Sequence, residues 1–167
     1  MRRPDDSSLT PDQYSRVRRE AERVLREAGA MGVFPTPVES VMTAAKVKEV
    51  PDEVLDEGFL RRMRAKAEGS LKRALSKVLG LFDARGGLVF IATGINAVRK
   101  TFIRLHETGH GFMAWQRKMY ALVEDCEKSL SPEIADQFDR EANVFASEVL
   151  YQLDTFSIEA NDHEFNI

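Results

Sequence analysis

The sequence predicts an α+β domain, mainly helical, in which a small antiparallel sheet packs on one long helix. Three observations lead there. Apolar residues recur at helical spacing near both ends of the chain. Two short runs rich in Val, Leu, Ile and Phe flank Asp83-Ala84-Arg85-Gly86-Gly87. An apolar-periodic stretch follows them and carries two histidines four residues apart. A chain of 167 residues suits one domain, 1–167, with a real core, and 43% hydrophobic with 31% charged residues marks a folded chain, not a disordered one.

The first helix opens with a capping box, Thr10-Pro11-Asp12-Gln13, with Thr10 as N-cap and Pro11 in the first turn. Tyr14, Val17, Ala21, Val24, Leu25 and Ala28 form its stripe, and Gly29 offers a stop. A second start at Thr36-Pro37-Val38-Glu39 leads into the stripe Val38, Val41, Met42 and Ala45. These helices, within residues 1–50, read as scaffold.

From Phe59 to about Leu75 the pattern is helical and locally basic, with Arg61, Arg62, Arg64, Lys66, Lys72, Arg73 and, just beyond, Lys77. No aromatic residues interleave these charges, so a solvated helix face is preferred to a nucleic-acid surface. The net charge of −3 likewise gives no global basic character.

The functional region is expected over 78–153. Val78 to Phe82 and Leu88 to Ala92 read as a β-hairpin, with glycines between them able to take positive φ. Thr93-Gly94-Ile95-Asn96 leads into the histidine-bearing helix, and Ala114 to Leu130 continues with a weaker helical pattern. Ser131-Pro132-Glu133 starts a last helix, with Ile134, Ala135, Phe138, Ala142, Phe145, Ala146 and Val149 inward. Residues 154–167 read as a polar tail without an element.

The chemistry sits in His106-Glu107-Thr108-Gly109-His110, an H-E-x-x-H motif. Positions i and i+4 of a helix lie one above the other, so both imidazoles reach one cation. Zinc accepts histidine nitrogen and leaves room for a third ligand and a water, and Glu107 stands beside the first histidine as general base. Phe102, Ile103, His106, His110 and Met113 share one face, and unpaired histidines on a buried face would cost about 1–3 kcal/mol each. Gly109 lets another backbone come close.

A third ligand is expected from the last helix, which offers Asp139 and Glu141. Residues two apart face different ways, so one of them points to the metal. Asp139 is favoured. It lies near the apolar stripe and has Asn143 one turn on, where an amide can hold a ligand histidine. Glu141 is further round but longer. His163 is a remote alternative, and His163, Tyr120 and Tyr151 are candidates for a second electrophilic contact.

The stretch from Val98 to His110, after a strand pair, resembles the core of the ImmA/IrrE-like metallopeptidases. Asp139 to Leu150 is similar to that family's second motif, an acid followed by Ala-Asn-x-Phe-Ala and then leucines. The resemblance spans about Leu79 to Leu150. It implies a gluzincin-like core, zinc on His106 and His110, Glu107 as acid/base and an acid of the second motif as third ligand. Asp139 stands where the family usually has glutamate, and Leu150-Tyr151-Gln152-Leu153 replaces a leucine-methionine-proline ending, so the chain resembles a divergent member.

The resemblance further implies a bacterial or phage zinc endopeptidase that cleaves a regulatory protein such as a helix-turn-helix repressor. An extended substrate segment is expected to pair with an exposed hairpin strand, Leu88 to Ala92. The alternative is a non-catalytic, zinc-stabilised module that binds a repressor. A nucleic-acid binder acting through 61–77 ranks last. One cysteine, Cys126, and the lack of a membrane-length apolar run or a leader pattern point to the cytoplasm.

Overall fold

Helix α1 (Pro11–Glu27) starts where its capping box places it. Gln13 N–H donates to Thr10 Oγ1 at 3.3 Å, and Thr10 N–H donates to Gln13 Oε1 at 2.9 Å. Val17, Ala21, Val24 and Leu25 are buried, and the chain turns away at Gly29 with φ +63°. The computed structural model describes residues 9–50, 80–92, 94–125, 130–155 and 157. The basic stretch 61–77, the start of the expected hairpin at Val78 and Leu79, Cys126 and His163 lie outside these residues.

Helix α2 (Val38–Ala44) buries Val41 and Met42. Thr36 does not cap it: its buried hydroxyl donates at 3.2 Å to the carbonyls of Val149 and Leu150 instead. Strand β1 (Lys48–Glu49) follows, then β2 (Gly80–Asp83) and β3 (Leu88–Ile91). The hairpin pairs as expected, with Gly80 opposite Ile91 and Asp83 opposite Leu88.

The sheet is nevertheless mixed, not purely antiparallel. β1 runs parallel to β3, Lys48 opposite Leu88, and the strand order is β1-β3-β2. Gly87 makes this approach possible. It has φ +64°, and a Cβ there would stand 2.7 Å from the Lys46 carbonyl oxygen. Lys48 N–H then donates to Gly87 O at 2.9 Å, and Val50 N–H to Val89 O at 2.8 Å. β3 is therefore the central strand, and the exposed-edge role expected of Leu88 to Ala92 does not hold. Among the described residues, β2 has a strand on one side only.

Helix α3 (Ala97–Phe112) is capped by Asn96, whose side chain accepts from Arg99 N–H at 2.9 Å. The chain breaks at Met113, with ψ 104°, and restarts as α4 (Ala114–Asp125). Helix α5 (Pro132–Tyr151) is capped by Ser131. It packs on α3 along one side and on α1 along another, while β2 and β3 cover α3. Phe138, Ala142, Phe145, Ala146 and Val149 are buried as expected, whereas Ile134, in the first turn, is exposed.

Gln152 ends α5 in the left-handed region, φ 44°. Its side chain accepts from Gly32 N–H at 2.7 Å and donates to Ala30 O at 3.1 Å, tying the α1–α2 connection to the end of α5. The polar tail begins later than the sequence suggests: Asp154 pairs with Arg18, and Ser157 Oγ donates to Leu153 O at 2.7 Å. No helix among the described residues is long and apolar enough to cross a membrane.

Candidate metal centre

One turn apart on α3, His106 and His110 bring their Nε2 atoms to 3.1 Å. The rings stand edge-on, 84° between planes. Each Nδ1 meets an amide oxygen: His106 that of Asn143 at 3.0 Å, His110 that of Gln116 at 2.6 Å. An amide oxygen accepts only, so each Nδ1 carries the proton and each Nε2 presents a lone pair. Burial lowers His106 to about 4 against the opposing Asn143 contact. Burial and then the neighbouring His106 lower His110 to about 3. Both rings are neutral at physiological pH, the form that ligates metals.

Asp139, on the facing turn of α5, points the same way. Its Oδ1 lies 3.7 Å from His110 Nε2 and 4.0 Å from His106 Nε2. Its carboxyl is raised to about 6, by desolvation and then by Asp136. His106, His110 and Asp139 form a group that can hold a metal ion, with one ligand atom from each within 4.8 Å of the others. Three acceptor atoms meet with no hydrogen between them. Two imidazoles and a carboxylate suit a cation that takes nitrogen and oxygen.

Glu141 does not join this group. It is fully buried on another face of α5, and its oxygens accept from Arg16, Trp115, Gln116 and Gln137 at 2.7–3.1 Å. The two-residue offset from Asp139 turns it away, as helix geometry requires.

Glu107 is buried at the sheet–helix interface, where its carboxylate packs against Gly80 of β2. Desolvation, and then Asp139, push its carboxyl up to about 8. Gly80 leaves the space: a Cβ there would fall 2.6 Å from Glu107 Oε1. What comes close at Gly109 is not a backbone but the Phe145 ring, 2.9 Å from a hypothetical Cβ.

Tyr120 of α4 joins the site by its ring, edge-on to His110 at 5.3 Å between centroids. Its hydroxyl is raised by burial and by the charges of Asp139 and Glu107. Tyr151 is exposed at the far end of α5.

The sequence reading missed Gln116, Trp115 and Arg16. Gln116 follows His110 by six residues across a helix break, and no spacing rule links positions on either side of such a break. Arg16 and Trp115 stack at 4.1 Å, a contact between distant segments. No family model, curated protein or solved structure matches the chain.

Proposed function

We propose that the protein is a zinc-dependent endopeptidase of the gluzincin-like kind, with His106, His110 and Asp139 as ligands and Glu107 as general base. One observation carries this reading: two neutral imidazole lone pairs and a carboxylate oxygen converge beside a buried glutamate. The aspartate fits despite being shorter than glutamate, because its Oδ1 already lies within 4.0 Å of both Nε2 atoms.

Bound there, zinc brings the pKa of a water to about 7 and polarises a peptide carbonyl. The chain's own residues supply the rest. A Glu107 carboxylate oxygen takes the proton of the attacking water as its oxygen bonds to the scissile carbon, then hands that proton to the departing nitrogen as the C–N bond breaks. The amides of Asn143 and Gln116 keep the ligand rings in register.

An extended substrate segment is best received along β2. It has one strand neighbour among the described residues, and its first residue, Gly80, abuts Glu107. Tyr120, whose ring stands edge-on to His110, is the candidate hydroxyl to donate to a developing oxyanion. The resemblance to the ImmA/IrrE-like proteins, not the geometry, supplies the substrate class: a regulatory protein such as a helix-turn-helix repressor.

The test is Glu107→Gln. It removes the base and leaves the ligands, so cleavage of the partner protein should fall by at least about 100-fold while zinc content stays at the wild-type level. Full biological activity in this variant would assign the protein to non-catalytic repressor binding.

A further inference from the structure

Glu141 is the best-satisfied buried carboxylate among the described residues. Arg16 Nη2 and Gln137 Nε2 donate to its Oε1 at 3.0 and 3.1 Å. Trp115 Nε1 and Gln116 Nε2 donate to its Oε2, both at 2.7 Å. With four donors turned on its two oxygens Glu141 acts as acceptor throughout, so Gln116 presents its NH2 to it. The Phe138 carbonyl accepts from the same NH2 at 3.3 Å. The other end of the amide, its oxygen, is thereby aimed at His110 Nδ1, 2.6 Å away.

We propose that Glu141 is a positioning residue for the metal centre: through Gln116 it selects the His110 tautomer that leaves Nε2 free to ligate. This deepens the zinc reading above and rests on it. Glu141 Oε2 and the Phe138 carbonyl fix the NH2 of Gln116; Gln116 fixes the proton on Nδ1; the lone pair is left on Nε2, facing His106 and Asp139. Groups that orient ligand histidines in this way are commonly worth about 10–100-fold in metal affinity.

The chain of contacts makes an unusual prediction for an isosteric change. In Glu141→Gln, the new NH2 has to face either Arg16 and Gln137 or Trp115 and Gln116, donors on both sides. Facing the Arg16 cation is worse, so the NH2 turns to Gln116. Gln116 then flips to offer its oxygen, giving up its bond to the Phe138 carbonyl, and its NH2 confronts His110 Nδ1. The histidine answers by moving its proton to Nε2, which removes the ligand lone pair. Exchanging the two residues, Glu141→Gln with Gln116→Glu, restores an acceptor beside Nδ1.

The experiment uses the full chain and two readouts. Zinc dissociation constants come from chelator competition, and the His110 tautomer of the metal-free protein comes from long-range proton–nitrogen correlation spectra. The expected result is roughly tenfold or more weaker zinc binding in Glu141→Gln, a shift of the His110 proton from Nδ1 to Nε2, and recovery of both in the exchanged pair. Wild-type affinity with an Nδ1 proton in Glu141→Gln overturns the proposal and leaves the metal site standing. Equal loss in the single and exchanged variants, with the tautomer unchanged, also overturns it and reduces Glu141 to a packing role. If wild type itself takes up no zinc, the metal reading falls and this proposal with it. Should Glu141→Gln fail to fold, Gln116→Leu decides: it deletes the acceptor, so wild-type zinc affinity there overturns the proposal and a tenfold loss supports it.

Discussion

His106 and His110 hold their Nε2 atoms 3.1 Å apart while each Nδ1 proton is engaged by an amide oxygen. Neither Nε2 can therefore donate to the other, and the gap between them calls for a positive charge. About one zinc per chain is expected by elemental analysis, lost in His110→Ala. Zinc should also raise the melting temperature, by the equivalent of about 2.7 kcal/mol at 100 times its dissociation constant. A melting temperature indifferent to zinc and to chelator would reduce the motif to a packed pair of histidines.

The metal-free protein should carry a pH signature of Glu107. Burial, and then Asp139, raise this carboxyl from 4.5 to about 8. Between those values the folded chain holds a proton that the unfolded chain has released, so stability falls as pH rises. The histidines act in the opposite sense below 6.5, since folded His106 and His110 protonate only near 4 and 3. Asp139, raised to about 6, adds to the acidic-side balance. The unopposed loss thus lies between about 6.5 and 8. Urea denaturation in the presence of chelator should show it in wild type and not in Glu107→Gln. The same slope in both proteins would mean that Glu107 is solvated.

What the sequence made legible follows from local physics. The capping box at Thr10, the stop at Gly29, the hairpin around Gly87 and the histidine pair are encoded within a few neighbouring residues, and each stands as read. The choice of Asp139 over Glu141 agrees with the geometry because helical phase alone separates them. What escaped depends on distant segments meeting. β1 is two residues long, and its pairing rests on Gly87 admitting the Lys46 carbonyl. That contact turned the sheet mixed and made β3 its central strand. Gln116 and Arg16 reach Glu141 from other helices, so no periodicity announces them.

Gly80→Ala tests the contact between β2 and the general base. The added Cβ would lie 2.6 Å from both Glu107 Oε1 and Ile103 Cγ2, closer than side chains tolerate. Ile103 Cγ2 is held at a β-branched carbon, whereas Glu107 Oε1 ends a longer side chain of the same helix, so Glu107 is the group displaced. Stability should drop by about 1–3 kcal/mol. Cleavage should fall at least about tenfold, while zinc content is retained, since misplacing a catalytic group by an ångström can cost more than that. Unchanged kcat in a well-folded Gly80→Ala would show that Glu107 works from another position.

Gly109→Ala sets two effects against each other, and their magnitudes decide the sign. Alanine is favoured over glycine inside a helix by about 1 kcal/mol. Against that, its Cβ would stand 2.9 Å from Phe145 Cδ1 and 3.2 Å from Cγ. Phe145 is fully buried, so its ring cannot swing out into solvent. Overpacking of this kind costs about 1–3 kcal/mol. The net expectation is a loss, with α3 and α5 pushed apart at the level where His110 faces Asp139, and weaker zinc binding with it. Phe145→Leu alone should also destabilise, by leaving a void. In the double variant the shorter side chain receives the methyl group, so the two losses should fall short of their sum. A denaturation-based double-mutant cycle measures this directly. Strict additivity, or a Gly109→Ala protein more stable than wild type, would mean that the two helices do not depend on the glycine for their close approach.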